Sequence, residues 1–134
     1  MSRRLLSVLL LAAVAMTAVQ AATMAQAKRW AATDPNGEGS AVIAWGDSKD
    51  EAHRRAVDAC KRGSKTCANG PASTDTLSDV FAVMCCTKPR AGCAVGVGAD
   101  RKKAAESVKG TLSGAGYGNC GLRHYISASS GKRL

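Results

Sequence analysis

The segment CAVGVGADRKKAAE, residues 93–106, places two glycines between an extended run and a helix rich in lysine and arginine. Gly96 and Gly98 stand where a phosphate-binding loop offers backbone amides to an anion at the start of a helix. The rest of such a loop is missing, because Arg101 occupies the position of the third glycine and Asp100 puts a carboxylate where the phosphate would lie. The glycines therefore indicate close packing of a strand against a helix.

The same pattern occurs earlier in the chain. An offset of 52 residues, without a gap, aligns the segment that begins at Arg29 with the segment that begins at Phe81. Each segment contains an extended run, a turn, a second extended run, a glycine, a polar cap and a charged helix. We therefore predict an α+β fold, a small disulfide-stabilised domain of two strand-turn-strand-helix-strand repeats, with an antiparallel sheet packed by two helices. The aligned pairs are Gly46 with Gly98, Ser48 with Asp100, Ala52 with Ala104, Ala56 with Val108, Cys60 with Leu112 and, one residue further on, Cys67 with Cys120.

Each repeat has its own turn and helix signals. The Asn-Gly dipeptide at 36–37 predicts a tight hairpin turn, because it tolerates positive φ angles, and residues 89–92 predict the turn of the second repeat. Ser48 and Glu51 form a capping box before the first helix, and Asp100 caps the second helix. Small or apolar residues at helical spacing predict one buried stripe per helix, and a glycine can end each helix. These residues are Ala52, Ala56, Ala59, Cys60 and Gly63 in the first helix, and Ala104, Val108, Leu112 and Gly114 in the second.

The N-terminus predicts export. Arg3 and Arg4 precede an apolar run from Leu5 to about Ala15, and small residues follow, which is the order of a secretory signal peptide. The run is shorter than the roughly 20 residues that span a bilayer, so we expect no transmembrane segment in the mature protein. The predicted location is the periplasm or the cell exterior. We assign residues 1–27 to the signal peptide, with cleavage after residue 21 or 27, residues 28–128 to a single duplicated domain, and residues 129–134 to a basic C-terminal tail.

The six cysteines all lie in the mature part, and their even number in an oxidising compartment predicts disulfides. The alternative is a zinc site on Cys85, Cys86 and Cys93, but the paired two-residue spacings of structural zinc modules are missing. Cys85 and Cys86 would point to opposite faces of an extended strand, so they should bond to different partners. The predicted pairs are Cys60 with Cys67, Cys86 with Cys93, and Cys85 with Cys120.

The sequence contains no assembled catalytic set, so we predict that the protein is not an enzyme and has no cofactor and no catalytic or metal-binding residue. Of the two histidines, His53 is expected on the solvated side of the first helix. His124 lies in a predicted strand on which Leu122, His124 and Ile126 would share one face. A cysteine nucleophile with a histidine base would need a free thiol, and the predicted disulfides leave none.

Charge is the strongest remaining signal. A total of 19 Lys and Arg against 10 Asp and Glu gives +9, and loss of Arg3 and Arg4 with the signal peptide leaves +7. We predict an acidic protein or an anionic envelope component as partner, although basic helix faces can also serve solubility alone. Export and the scarcity of aromatic residues disfavour nucleic acid. The candidate basic binding surface comprises Arg54, Arg55, Lys61, Arg62, Arg101, Lys102 and Lys103.

The order of these features resembles a known family. A Trp-Ala opening strand, the segment DPNG, a glycine before a capped charged helix, Ala-x3-Ala, and a helix-ending cysteine followed by another are similar to the small exported bacterial domain of unknown function 4189. The resemblance covers about residues 29–127. It implies a secreted or periplasmic, cysteine-containing protein without an agreed enzymatic activity, so no catalytic residue carries over. The chain departs from the pattern by having Leu112 in place of a cysteine and by adding Cys85, Cys86 and Cys93.

Three functional hypotheses follow. The first is an exported, non-enzymatic, basic binding module that acts through an acidic protein partner, for which toxin immunity is one setting. The second is a secreted effector that acts on membranes or on a host. The third is an enzyme of unknown substrate. The charge of the mature chain favours the first hypothesis.

Overall fold

The computed structural model describes residues 28–134, so the predicted signal peptide and its cleavage site lie outside the described residues. Within this range the chain forms six strands and two helices, and both halves follow the order strand, strand, helix, strand. The first half consists of β1 (Trp30–Thr33), β2 (Ile43–Gly46), α1 (Lys49–Gly63) and β3 (Ala72–Thr74). The second half consists of β4 (Val80–Lys88), β5 (Gly92–Gly98), α2 (Arg101–Gly114) and β6 (Gly118–Ser127).

Each half forms its own three-stranded antiparallel sheet, with strand orders β2-β1-β3 and β5-β4-β6. The predicted α+β class and the element order of the repeats are confirmed. The strands form two sheets and not one, because each central strand, β1 or β4, pairs on both sides with strands of its own half. The order of the strands is therefore the same in both halves.

The two sheets pack face to face around the main core. Ala31 and Ile43 of the first sheet meet Phe81, Val83 and Ile126 of the second, and all five side chains are buried. These residues alternate along β4 and β6 with residues of the opposite face, as the two-residue period of a strand requires. The inner face of the first sheet is thus covered by the second sheet and is not exposed to solvent.

The helices cover the outer faces of the sheets. Ala52 and Ala56 of α1 pack on Ala32 of β1, and Ala104 and Val108 of α2 lie in one buried cluster with residues of β4. The predicted buried stripes are confirmed at these positions. The molecule therefore has four layers, in the order α1, first sheet, second sheet, α2.

Glycines at the ends of β2 and β5 allow this close packing. A Cβ atom built on Gly96 would lie 2.4 Å from the backbone nitrogen of Val108, and one on Gly98 would lie 2.5 Å from that of Ala104. In the first half, a Cβ atom on Gly46 would lie 2.8 Å from the backbone nitrogen of Ala52. Real Cβ atoms do not approach a backbone atom this closely. The interpretation of the glycine pair as a packing device is confirmed.

Helix starts and ends follow the predicted signals. The Ser48 hydroxyl accepts a hydrogen bond from the backbone N–H of Glu51 at 3.2 Å, and Asp100 accepts one from Lys103 at 2.8 Å. The Glu51 carboxylate reaches back to the N–H of Asp47 at 2.8 Å, one residue before the cap. The two helices end at Gly63 and Gly114.

The turn of the first repeat differs from its prediction. A tight turn does form at 36–39, where the N–H of Gly39 donates to the carbonyl of Asn36 at 3.0 Å, but its positive φ lies at Gly39 and not in the Asn-Gly dipeptide. It does not join the two strands directly, because β1 ends at Thr33 and β2 begins only at Ile43. The Asn36 side chain instead organises a wider loop by accepting hydrogen bonds from the backbone of Ser40 at 2.9 Å and Glu38 at 3.0 Å. Asn36 also bridges to Cys67, so the loop must extend to the segment after α1. In the second repeat the predicted turn is confirmed between β4 and β5.

The predicted disulfide pattern contains one correct pair and two wrong pairs. The bond between Cys60 and Cys67 is confirmed, whereas the structure joins Cys85 to Cys93 and Cys86 to Cys120. The reason is strand register, because Cys85 lies opposite Cys93 on β5 and Cys86 lies opposite Cys120 on β6. Opposed residues of antiparallel strands share a face and hold their Cβ atoms close together. The prediction that Cys85 and Cys86 take different partners is correct.

The C-terminal residues 129–134 return along β6. The N–H of Ser127 donates to the carbonyl of Lys132 at 2.9 Å, and the N–H of Leu134 donates to the carbonyl of Tyr125 at 3.0 Å. The indole Nε1 of Trp45 donates to the carbonyl of Ala128 at 2.9 Å. The segment predicted as a basic tail is therefore attached to β6, and the turn before it is attached to the first sheet.

The glycine contacts predict a position-specific loss of stability. Replacement Gly96→Ala should lower the free energy of unfolding by about 2 to 3 kcal/mol, because the new methyl group overlaps the backbone of α2. The matched control is Gly110→Ala on α2 itself, at a position where a Cβ atom meets nothing within 4 Å. This control should raise stability by up to about 1 kcal/mol. Urea unfolding with intact disulfides measures both, and equal effects of the two variants would contradict the packing role.

The strand register predicts which cysteines can be removed in pairs. The variant Cys85→Ser with Cys93→Ser should retain two disulfides and show no free thiol, because both partners of one bond are gone. The variant Cys86→Ser with Cys93→Ser should expose two thiols, since the remaining Cys85 and Cys120 lie on opposite faces of the second sheet. Thiol titration in denaturant counts them, and the reverse pattern would show the other connectivity.

Candidate binding groove beside strand β2

The predicted basic residues lie in two separate groups. Residues of α1 and residues of α2 occupy opposite outer layers, with both sheets between them. The two groups therefore form two surfaces and do not meet. The α1 group contains Arg54, Arg55, Lys61 and Arg62, and the α2 group contains Arg101, Lys102 and Lys103.

Two of these residues have partners within the fold. The guanidinium of Arg55 donates to the carbonyl of Trp45 at 2.9 Å and forms an ion pair with Glu51 at 2.5 Å. Arg55 is half-buried and connects α1 to the strand that it covers. The guanidinium of Arg101 lies 5.6 Å from the ring centroid of Tyr125, in cation–π range. The other five predicted basic residues are exposed.

A groove of about 690 Å³ runs between β2 and α1. Its floor is formed by four consecutive residues, 42–45, and its side wall by one face of α1. Two of the predicted basic residues line it. The lining residues are Lys28, Val42, Ile43, Ala44, Trp45, Arg55, Asp58, Ala59 and Arg62.

The groove combines apolar surface with positive charge. Val42 is 63% exposed, and Trp45 is half-buried with the Nζ atom of Lys28 at 4.2 Å from its ring centroid. Among residues 28–134 the ion pair of Arg55 with Glu51 is the one within salt-bridge distance, so Lys28 and Arg62 have no carboxylate partner there. A ligand with carboxylates beside small apolar groups matches this lining.

One acidic residue limits the positive potential of the groove. Asp58 lies on the α1 wall, four residues before Arg62, and its carboxylate is exposed. It repels an anionic ligand close to its own position and leaves the Lys28 end more favourable. The groove is thus positive on balance but not uniform.

The sequence identified only part of this lining. Arg55 and Arg62 were predicted from charge, whereas Lys28, Val42 and Trp45 were not assigned to a site. Their grouping depends on β2 being the edge strand of its sheet, and only the strand order shows this. The sequence carries no signal for this grouping, because the exposure of Val42 beside the buried Ile43 is seen only in the structure.

His53 differs from its predicted environment. Its Nε2 atom lies 2.7 Å from the hydroxyl of Ser73, so the ring is half-buried between α1 and β3 and not solvated. Burial lowers the pKa of His53, the positive charge of Lys49 lowers it further, and Asp50 opposes the change. The ring contributes to helix–sheet packing, and its lowered pKa favours the neutral form.

His124 lies opposite Val83, and its Nε2 atom is buried without a hydrogen-bond partner among the described residues. Burial lowers the pKa of His124, with a smaller contribution from Arg133. The prediction that Leu122 shares its face with His124 and Ile126 is wrong. The pairing of β6 shifts at this point, so that Leu122 lies opposite Met84 of the other face.

The cysteines do not offer thiolates in this structure. Every cysteine of residues 28–134 is in a disulfide, which also removes the alternative zinc site on Cys85, Cys86 and Cys93. The atoms of Asp34, Cys60 and Cys67 lie within 4.8 Å of one another, but the two sulfurs are bonded to each other. The Asp34 carboxylate is buried and accepts hydrogen bonds from the backbone of residues 69 and 70, at 3.2 and 3.1 Å. Its role is to fix the loop after the disulfide.

Comparison of the chain with protein-family models, with curated proteins and with solved structures gives no match. Among residues 28–134, neither helix has the length and apolar character needed to cross a membrane. The three disulfides are consistent with an oxidising, exported environment.

The two histidines predict the direction of the pH dependence of stability. Both have a folded-state pKa below the unfolded value of about 6.5, so the unfolded chain binds more protons as the pH falls past 6.5. The free energy of unfolding should be highest above this pH and should decrease below it. Urea unfolding between about pH 7.5 and 5.5 measures the slope. The double variant His53→Gln with His124→Gln should flatten it, and an unchanged slope would contradict this origin.

Proposed function

We propose that this protein is an exported, non-enzymatic binding module that captures an acidic protein partner in the groove between β2 and α1. The observation that carries the proposal is the lining of that groove, in which the cations of Lys28 and Arg62 flank the exposed Val42 and the ring of Trp45. Interfaces are enriched in aromatic residues and arginine, and both occur here together.

The charge of the whole chain supports the same partner class. The part of the chain that follows residue 27 has a net charge of +7, which favours encounter with acidic surfaces over basic ones. Electrostatic attraction of this kind mainly raises the association rate, whereas the buried contacts set the lifetime of a complex. The groove supplies such contacts through Val42 and Trp45.

A binding role is also favoured over catalysis. The disulfides remove each thiol nucleophile of the described chain, and the two histidines lie in different layers of the fold, one on α1 and one on β6. Among residues 28–134 no hydroxyl bonds to the Nε2 atom of His124, and the Nε2 atom of His53 bonds to the hydroxyl of Ser73 beneath α1. Inhibition of an acidic toxin is one role that such a module would serve.

A pair of charge reversals on α1 tests the proposal. Arg62→Glu places a negative charge inside the groove, whereas the control Arg54→Glu makes the same change on an exposed part of the helix that does not line it. Binding of a fluorescent polyglutamate peptide should be weakened about tenfold by Arg62→Glu and much less by Arg54→Glu. Fluorescence anisotropy at low salt gives both affinities.

Two results would overturn the proposal. Equal losses for Arg62→Glu and Arg54→Glu would show attraction to net charge without a site. Binding to vesicles that contain phosphatidylglycerol, with no binding to polyglutamate, would favour the membrane-active alternative. Salt dependence alone does not distinguish these cases, because binding in the groove, attraction to net charge and binding to anionic membranes all weaken as salt rises.

A further inference from the structure

Strand β2 is an edge of the first sheet, with β1 on one side and the groove on the other. The carbonyl of Trp45 accepts from Arg55, so it points away from β1. In an antiparallel pair the N–H and C=O of one residue point to the same side, and successive residues alternate. The N–H of Trp45 and both backbone groups of Ile43 therefore face the groove.

These backbone groups are available for pairing. Among residues 28–134, β1 is the strand that pairs with β2, so the groups that point away from β1 have no strand partner there. The carbonyl of Val42, the residue before Ile43, points toward β1, since it accepts a hydrogen bond from the Thr33 hydroxyl at 2.9 Å. This agrees with the alternation and fixes which residues of β2 face outward.

The other sheet edges are less suited to a new strand. The last part of β6 is already paired with the C-terminal segment through the bridge of Ile126 with Arg133. Strand β3 has three residues, and β5 contains three glycines that supply no side chain to contact a ligand. Among residues 28–134, the edge of β2 combines a cleft with a strongly exposed apolar side chain, Val42.

We propose that an extended acidic segment of the partner adds to the first sheet as a fourth strand, paired with the outward backbone groups of Ile43 and Trp45. This inference rests on the proposed function, because it specifies how the groove holds its acidic partner. An added strand uses main-chain hydrogen bonds for affinity and alternate side chains for specificity. Its side chains on the α1 face lie near Val42 and Arg62, and the alternate side chains on the opposite face lie near Trp45 and Lys28.

Arg55 has a defined position in this arrangement. By occupying the carbonyl of Trp45 it covers one end of an open edge, which limits unwanted pairing of β2 with other chains. A carbonyl oxygen has two lone pairs, so an incoming N–H can bond to it beside Arg55. The ion pair with Glu51 holds the guanidinium of Arg55 in place and balances its charge, so that Arg55 attracts a carboxylate of the partner less strongly.

The probe for this inference is a capped, fluorescent peptide of about seven alternating glutamate and valine residues, the length of an ordinary strand. Two further peptides carry N-methyl groups on alternate residues, one on the glutamates and one on the valines. A methylated nitrogen cannot donate and obstructs pairing on its side of the strand. One methylated peptide should bind at least about tenfold more weakly, and the other should bind like the parent, because only one edge of the peptide faces β2.

Two protein variants locate the bound peptide. Val42→Glu should weaken binding of the parent peptide about tenfold, through repulsion and loss of apolar contact. The control Leu122→Glu makes the same charge change at another exposed apolar residue, 42% exposed and on the second sheet, and should change the affinity less than about twofold. Amide exchange of Ile43 and Trp45 should slow on binding, while the edge of β5 should be unaffected.

The outcomes separate the inference from the proposed function. If the parent peptide binds in the groove, as shown by Val42→Glu, but both methylated peptides bind equally well, strand addition is wrong and the acidic-partner function stands. If the parent peptide does not bind, and polyglutamate binding is also insensitive to Arg62→Glu, both are wrong. Binding that is weakened equally by Val42→Glu and Leu122→Glu overturns the location at β2.

Discussion

The close approach of each helix to the end of a strand is the constraint on which this structure depends. The strands β2 and β5 end at glycines because the backbone of the following helix occupies the space of a side chain. Small residues such as Ala52 and Ala104 complete these contacts, so a chain with few large apolar side chains still packs densely. Both helices are thereby held on the outside, and the two sheets are left to form the main core around Phe81 and Ile126.

The disulfides reinforce the half of the molecule that carries most of this core. Cys85 and Cys86 join the central strand β4 to both of its neighbours, one bond on each face of the second sheet. The first sheet has no disulfide within it, since the bond from Cys60 closes only the loop after α1. Its edge strand β2 is short, is covered by Arg55 and borders the groove. The second half, which two disulfides crosslink, thus supports the first half, whose edge strand β2 leaves space for a partner.

The sequence predicted the helices and strands better than it predicted which of them lie next to each other. Caps, helix ends and the glycine contacts depend on residues close together in the chain, so Ser48, Asp100 and Gly98 were interpreted correctly. Disulfide partners depend on register, where a shift of one residue exchanges the faces of a strand, and two pairs were therefore exchanged. The groove depends on strand order, which decides that Trp45 lies at an edge, and charge alone could identify Arg62 but not the residues beside it.

Solution NMR of the oxidised protein can detect the packing of the glycine-ended strands under the two helices, from which the four layers follow. The account predicts strong nuclear Overhauser contacts from the α protons of Gly96 to the amide proton of Val108 and, in the other half, from Gly46 to that of Ala52. Their presence together with contacts between Ile43 and Phe81 would establish the order of the layers. Absence of the glycine contacts in a folded, fully oxidised sample would contradict the account.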